Sequence, residues 1–331
     1  MTTFIEARGP GRNAPEASAG FPLGHEEPRS FPPEEAGGVS PPQPRRNQRL
    51  MIPSEPPRPP GHGFHRPLRP TSFQRAKVLR KMKLFVLGSG TCVPTADRGP
   101  SGLVLSFFSH LIFFDGGGGS LHQMARMGLD FRKIDYLGLT HFHPDHVSDF
   151  VPFLFATNYT VDFTRSLPLQ VIGPYGLQTL YNQLREIFGR WIEAQTYSIQ
   201  FYEVGESHLS FSDFSVETLP LTHSIPSVGF RVNAGGRLLA YSGDTDYCAN
   251  IVQLGRNADL LVLECSFPEE RKKEGHLTPS LAGRIAREAS CRKLLLTHFY
   301  PVFQGHDIRQ ECQKEFAGEI LLAEDGMIIA V

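Results

Sequence analysis

The sequence predicts an α/β domain over roughly residues 83–331, with two β-sheets packed together and helices on the outside. Three observations carry this expectation. Strand-type runs come in two batches interleaved with helical stretches, and no internal repeat divides them. The chain has 331 residues, 40% hydrophobic and 20% charged, enough to bury a large core in one or two domains. Ligand-type side chains fall where apolar strands stop, which is where scaffolds usually present chemical groups.

Residues 1–81 stand apart from that domain. They hold 16 of the 27 prolines, few large apolar residues and no sustained periodicity. Such a segment cannot bury enough surface to offset its ordering entropy, so a disordered Pro/Arg-rich extension is expected there. A natural start at Met82 would be the alternative. The segment carries 13 Lys and Arg against 7 Asp and Glu; the remaining 20 against 27 leave residues 82–331 at −7, within an overall −1. Its basic end, Arg45 to Lys81, could touch an anionic partner, but basic tracts alone are weak motifs. A solvated tail is the simpler reading.

Folded sequence begins at Lys83. KLFVLG (83–88) reads as a buried strand, then GLVLSF (102–107) and LIFFD (111–115) as a strand pair joined by a short turn. Gly116 to Gly119 lead into SLHQMARMG, a short helix ending at Gly128. IDYLGLT is read as a strand, and the stretch from Val147 to Tyr159 as an apolar helix. LQVIGP (169–174) is a strand, and YGLQTLYNQLREIFG (175–189) has helical spacing closed by Gly189. A run of strands follows: IQFYEV, HLSFS, SVETLPLTH, SVGFRVNA and RLLAYSGD. Helices at 246–254, 279–289 and 307–316 then alternate with DLLVLEC, KLLLTH, EILLAE and MIIAV.

The densest chemistry lies in THFHPDHVSD, residues 140–149, where His141, His143, Asp145 and His146 fall within six residues. Imidazole nitrogen and carboxylate oxygen suit zinc and its first-row neighbours. If IDYLGLT continues as a strand, His141 and His143 share one face at its mouth, because side chains alternate with period two. Asp145 and His146 would start the next turn and aim at a second point, so one segment could feed two metals. His223 follows VETLPLT, Asp244 follows LLAYSG and His298 follows KLLLT, each after an apolar strand and before a turn.

Taken in order, THFHPDH, LTHS, YSGDT and LTHFYP resemble the metallo-β-lactamase fold, a four-layer αββα sandwich, over nearly all of residues 83–331. LFVLGSGTCVPTADRGPSG, GHLTPSLAGRIA and LLAEDGM are similar to the ribonuclease Z branch more narrowly. The resemblance implies that His141, His143 and His223 bind a first metal and Asp145, His146 and His298 a second, with Asp244 bridging both. Zn2+ is the expected ion, Mn2+ or Fe2+ being compatible with the same donors. Asp145 would also orient the attacking water or accept its proton. His276, in EGHLTPS, would stabilise the phosphoryl oxygens or protonate the leaving oxygen. Asp115, closing the FFD strand, is expected to fix a ligating imidazole from behind.

Function is read as dinuclear-metal hydrolysis of a phosphodiester, either an RNA 3′ end or a small cyclic one. Ribonuclease Z enzymes usually carry a long basic arm between the third histidine and the bridging aspartate, whereas only one hairpin fits between His223 and Asp244. That spacing and the acidic domain weaken tRNA processing but leave the hydrolytic centre untouched. A ribonuclease Z-like phosphodiesterase of open substrate size is therefore expected, with a small-molecule or cyclic-nucleotide phosphodiesterase as an alternative that the spacing also suits. A thioester, lactone or sulfate-ester hydrolase on the same fold is the second alternative. A non-catalytic RNA-binding or scaffold protein would be expected to have lost ligands, and every position of the motif is filled.

Other signals carry less. GSGTCV lacks the third glycine of a dinucleotide fingerprint. The four glycines at 116–119 are expected to let backbone pass close to the metals. Pro94 to Gly102 are expected to form a rim over the site. Ser266 lacks a nucleophile-elbow context, and His306 follows the last ligand strand closely enough to line the pocket. Five cysteines, scattered and never C-x-x-C, suit a reducing compartment. With no membrane-length apolar run and no secretory pattern, a cytoplasmic protein is expected, and the resemblance is compatible with a homodimer.

Overall fold

Period-two alternation sorts the strands β2 (Gly102–Phe107) and β3 (His110–Gly116) between two cores. Leu103, Leu105, Ile112 and Phe114 join one buried cluster with Phe230 and Tyr241, whereas Val104 and Phe113 join another with Phe150, Phe153 and Leu154. Burial on both faces is why these strands read as unbroken apolar runs. These relations come from a computed structural model that describes residues 82–303 and 305–331. The predicted extension, residues 1–81, lies outside the described residues.

Two seven-stranded sheets result. The first runs β14 (Ile328–Ala330), β1 (Lys83–Gly88), β2, β3, β4 (Tyr136–Gly138), β5 (Leu169–Pro174) and β6 (Ile199–Val204). The second runs β13 (Glu319–Leu322), β12 (Lys293–Thr297), β11 (Leu260–Glu264), β10 (Arg237–Tyr241), β9 (Ser227–Ala234), β8 (Phe214–Leu221) and β7 (Ser207–Ser210). The inner faces meet through aromatic contacts, Phe114 lying 5.2 Å from Phe230 and 5.8 Å from Tyr241 between ring centres.

Helices α1 (Ser120–Arg126), α3 (Phe150–Tyr159) and α4 (Leu177–Phe188) cover the first sheet through Met124, Phe153 and Tyr181. Helices α5 (Ala249–Gly255), α6 (Pro279–Ala289) and α7 (Ile308–Gln313) pack on the second through Leu254, Ile285 and Cys312. The layers are therefore helix, sheet, sheet, helix, as the sequence predicts. β3 to β6 run parallel, and so do β10 to β13.

Several elements differ from expectation, among them helix 246–254, which runs Ala249–Gly255. IDYLGLT is a strand only over Tyr136–Gly138, because the Thr140 amide leaves the ladder and donates to Asp115 Oδ1 at 2.8 Å. The stretch from Val147 to Tyr159 is not one helix. A four-residue turn of helix, α2 (Pro144–Val147), ends before α3 begins, and Asp149 between them accepts from the Gly119 and Leu121 amides at 3.1 and 2.8 Å. Helix 307–316 shortens to Ile308–Gln313.

The segment from His223 to Asp244 is a plain hairpin, β9 and β10, closed by Gly235 and Gly236 at φ of 59° and 76°. Two consecutive residues with positive φ define the tight turn that matches strand twist, and glycine adopts it without steric penalty. No arm leaves this hairpin.

Candidate metal centre

The parallel strands β4, β10, β11 and β12 all point their C-terminal ends at one place, the usual location of sites in parallel sheets. β4 leads to His141, His143, Asp145 and His146, β10 to Asp244 and β12 to His298, while β8, antiparallel to β9 and so running with β10, leads to His223. Close backbone approach makes room for the turn. A Cβ on Gly117 would sit 2.4 Å from the Asp145 carbonyl, so of the four glycines Gly117 is the one at which backbone passes close to the donor-bearing turn.

Hydrogen bonds fix which nitrogen of each imidazole faces inward. His223 Nδ1 donates to the Gly275 carbonyl at 2.9 Å, and His146 Nδ1 donates to Asp115 Oδ2 at 2.9 Å. Thr140 Oγ1 donates to Asp115 Oδ2 at 2.9 Å and so accepts from His141 Nδ1 at 3.0 Å. His298 Nδ1 meets Ser266 Oγ at 2.9 Å, and that hydroxyl donates to Glu264. With Nδ1 protonated in all four, their Nε2 lone pairs turn into the site. His143 instead presents Nδ1.

These donors converge in two groups. His141 Nε2 and His223 Nε2 lie 3.1 and 3.2 Å from His143 Nδ1. His146 Nε2 lies 3.3 Å from His298 Nε2, which is 3.5 Å from Asp145 Oδ2. Between the groups, Asp244 Oδ2 stands 3.8 and 3.9 Å from His141 and His223, while Oδ1 stands 3.4 Å from both His146 and His298. Two nitrogens each about 2.0–2.1 Å from a tetrahedral zinc lie about 3.3 Å apart, so the spacing fits. Asp244 Oδ1 is also buried without a hydrogen-bond donor. Facing lone pairs beside an orphaned carboxylate oxygen call for cations, and the donor set fits divalent metals.

Charge follows the geometry. Burial pushes His141 well below the usual imidazole range, and the neighbouring His146 adds to it. Burial and His223 lower His143. For His146 burial pulls down, but the Asp244 and Asp115 carboxylates outweigh it and raise the group well above that range, so at Nε2 a proton competes with a cation for the same lone pair. Burial likewise works against ionised Asp244, yet His298 and His146 hold it well below the usual carboxylate range.

Behind the ligands lies a layer that the sequence reveals only in part. Asp115, expected there, accepts from His146, from Thr140 and from Tyr241 Oη at 2.7 Å. Glu264, at the end of β11, was not expected. It accepts from His276 Nδ1 at 2.9 Å, the Thr245 amide at 3.0 Å and Ser266 Oγ. Ser266 is no nucleophile; its hydroxyl supports His298. His276 thus stands beside these donors, 3.9 Å from Asp244 Oδ2, and although burial pulls its pKa down the Glu264 carboxylate raises it above the ordinary imidazole value. His306 does not line this site and pairs with Glu270 at 3.2 Å. Asp325, in the turn before β14, binds the Ser89 amide and hydroxyl and the Gly99 amide, anchoring both ends of the loop between them.

Comparison with known proteins agrees with this architecture. Residues 110–299 match the beta-lactamase superfamily domain, and the chain belongs to that superfamily, in its metallo-β-lactamase-fold class. Within it the chain is a ribonuclease Z-like metal-dependent hydrolase. It is 31% identical to the ribonuclease Z of Thermobifida fusca over 304 residues, covering 75% of this chain and 94% of that one. The metallo-beta-lactamase fold protein YhfI of Bacillus subtilis superposes with a TM-score of 0.66 at 25% identity, covering 76% of this chain and all of the other. The short form of human tRNase Z gives 0.63 at 27% identity, covering 76% and 99%.

Proposed function

We propose that the chain is a two-metal phosphodiesterase. His141, His143 and His223 hold one divalent cation, Asp145, His146 and His298 hold a second, and Asp244 bridges them. The observation that carries this reading is the pair of Asp244 oxygens, one turned to each group of donors. Zinc suits the nitrogen-rich set, and manganese or iron would occupy the same donors. When bound, such a pair activates water and stabilises charge on a phosphoryl group under in-line attack.

The chain's own residues place the reactants. Asp145, beside His298, orients the attacking water and accepts its proton. His276 is held at Nδ1 by Glu264, which favours its charged form, and Nε2 remains to protonate the leaving oxygen. The relatives' names, ribonuclease Z and tRNase Z, point to RNA as substrate. The armless hairpin and the acidic domain favour a smaller phosphodiester, including a cyclic one.

Two copies of the chain are proposed to associate through an exposed aromatic face. Phe155, Tyr159 and Trp191 cluster there with centroids 4.9–6.0 Å apart, next to Phe188. Beside this face Arg190 lies over the Trp191 ring at 4.9 Å, and Arg185 pairs with Glu193 at 3.8 Å. Among the described residues no helix is long and apolar enough to cross a membrane.

The test uses bis-p-nitrophenyl phosphate against thioester, lactone and sulfate-ester substrates, with zinc or manganese. Hydrolysis of the diester supports the reading, and turnover of the other classes alone refutes it. A precursor tRNA with a 3′ trailer and a 2′,3′-cyclic nucleotide then set the substrate size. Metal analysis should give two ions per chain, lost together in Asp244→Ala; full occupancy in that variant would remove the bridge.

A further inference from the structure

Two aromatic rings outside the metal-binding set flank this centre. Phe267 follows Ser266, and Tyr300 is the second residue after His298. Their rings stack at 4.6 Å with 23° between planes. Phe267 is buried against His276, its ring standing edge-on at 5.5 Å, so it is a fixed backing. Tyr300 is half-buried, and its ring plane stands steeply to those of His276 and His298, at 77° and 72°, with ring centres 6.4 and 6.0 Å away. Its hydroxyl lies 3.7 Å from the exposed thiol of Cys92, in the loop between Ser89 and Gly99.

The position of Tyr300 is specific. One face is occupied by Phe267, and the hydroxyl touches the exposed Cys92 thiol, so the stack sets the plane of the ring. Neither ring donates to a metal ligand in the hydrogen-bond pattern, so holding the centre together does not account for them. A rigid aromatic surface, partly open to solvent and beside the group that serves the leaving oxygen, is suited to hold a planar substituent by stacking. Aliphatic substituents gain less from such a surface, since they cover it without the matching quadrupole.

We infer that Tyr300, backed by Phe267, is a specificity-determining shelf that binds a planar aryl or nucleobase-bearing group on the leaving side of the scissile phosphodiester. The inference rests on the phosphodiesterase reading and on His276 facing the leaving oxygen. It narrows the substrate class to diesters whose leaving alcohol carries a flat ring within reach of that oxygen.

The test compares two methyl phosphodiesters whose leaving alcohols have nearly equal acidity, 4-chlorophenol and hexafluoroisopropanol, and follows release of each alcohol by the metal-loaded enzyme. The wild type should favour the aryl diester in kcat/KM. Tyr300→Leu should reduce that preference roughly tenfold, the size of one aromatic stack, and mainly through KM. Tyr300→Phe should retain it, because the ring remains. Metal content is measured in each variant, so that a damaged centre is recognised by loss of ions. An equal loss on both diesters, or an unchanged ratio in Tyr300→Leu, would overturn the shelf while leaving the phosphodiesterase reading intact. Hydrolysis of neither diester by wild type, with other ester classes turned over, would remove the underlying reading and the shelf with it.

Discussion

Asp115→Asn separates support of the metal centre from its ligands. Asp115 sits in the left-handed region at φ 47°, which asparagine tolerates best after glycine, so the backbone need not move. The carboxylate only accepts, and donors occupy both oxygens. Oδ1 takes the Thr140 amide, while Oδ2 takes His146 Nδ1 and Tyr241 Oη. Whichever way the asparagine amide turns, its NH2 meets a donor. Towards His146 it would favour the other tautomer and remove the inward Nε2 lone pair; towards Thr140 it leaves a buried amide unpaired. An unpaired buried group costs about 1–3 kcal/mol, so the denaturant midpoint should fall accordingly. Loss of such a partner typically weakens metal binding about 10–100-fold, or roughly 1.4–2.8 kcal/mol. Competition against a chromophoric zinc chelator measures it. Binding within twofold of wild type would show that Asp115 does not set the His146 tautomer.

Other expectations are independent of that one. His276→Ala should lower turnover about 100-fold or more with both ions retained, and unchanged turnover would end its role as acid. Among the five thiols, exposed Cys92 and partly exposed Cys248 should react with an alkylating reagent in the native protein at pH 8. Burial pushes Cys291 and Cys312 up to about 12, so at that pH they are protonated as well as inaccessible, and rapid labelling of either would show that the outer layer opens. Trp191→Glu places a charge in the exposed aromatic face and should yield monomers by light scattering; an unaltered mass would move the proposed interface elsewhere.

Much of this centre was readable because its residues interrupt apolar runs. His223, Asp244 and His298 each follow four or more strand residues, and a polar group there has few structural reasons to exist. Glu264 carries the same signal at the end of DLLVLEC, yet it escapes notice because a lone carboxylate resembles a strand boundary. Ser266 was judged by whether it could attack, whereas its value lies in the hydroxyl that receives His298. Local pattern also fails where a distant partner decides the backbone. Nothing near Asp149 indicates that Gly119 and Leu121 will claim its side chain and split the helix there. The order of strands within each sheet is likewise set by crossovers, which leave no periodic trace.

The pairing of β1 with β14 has a temporal meaning. Lys83 to Phe85 bond with Ile328 to Ala330, so the first strand synthesised in the domain waits for the last before its outer edge is covered. Asp325 arrives with the same segment, and until then the loop between Ser89 and Gly99 lacks its anchor. A nascent chain can therefore collapse early but cannot complete its reactive pocket during most of translation. Premature termination before Asp325 would leave an adhesive strand edge and an untethered entrance together, giving quality-control machinery a ready mark of an unfinished enzyme.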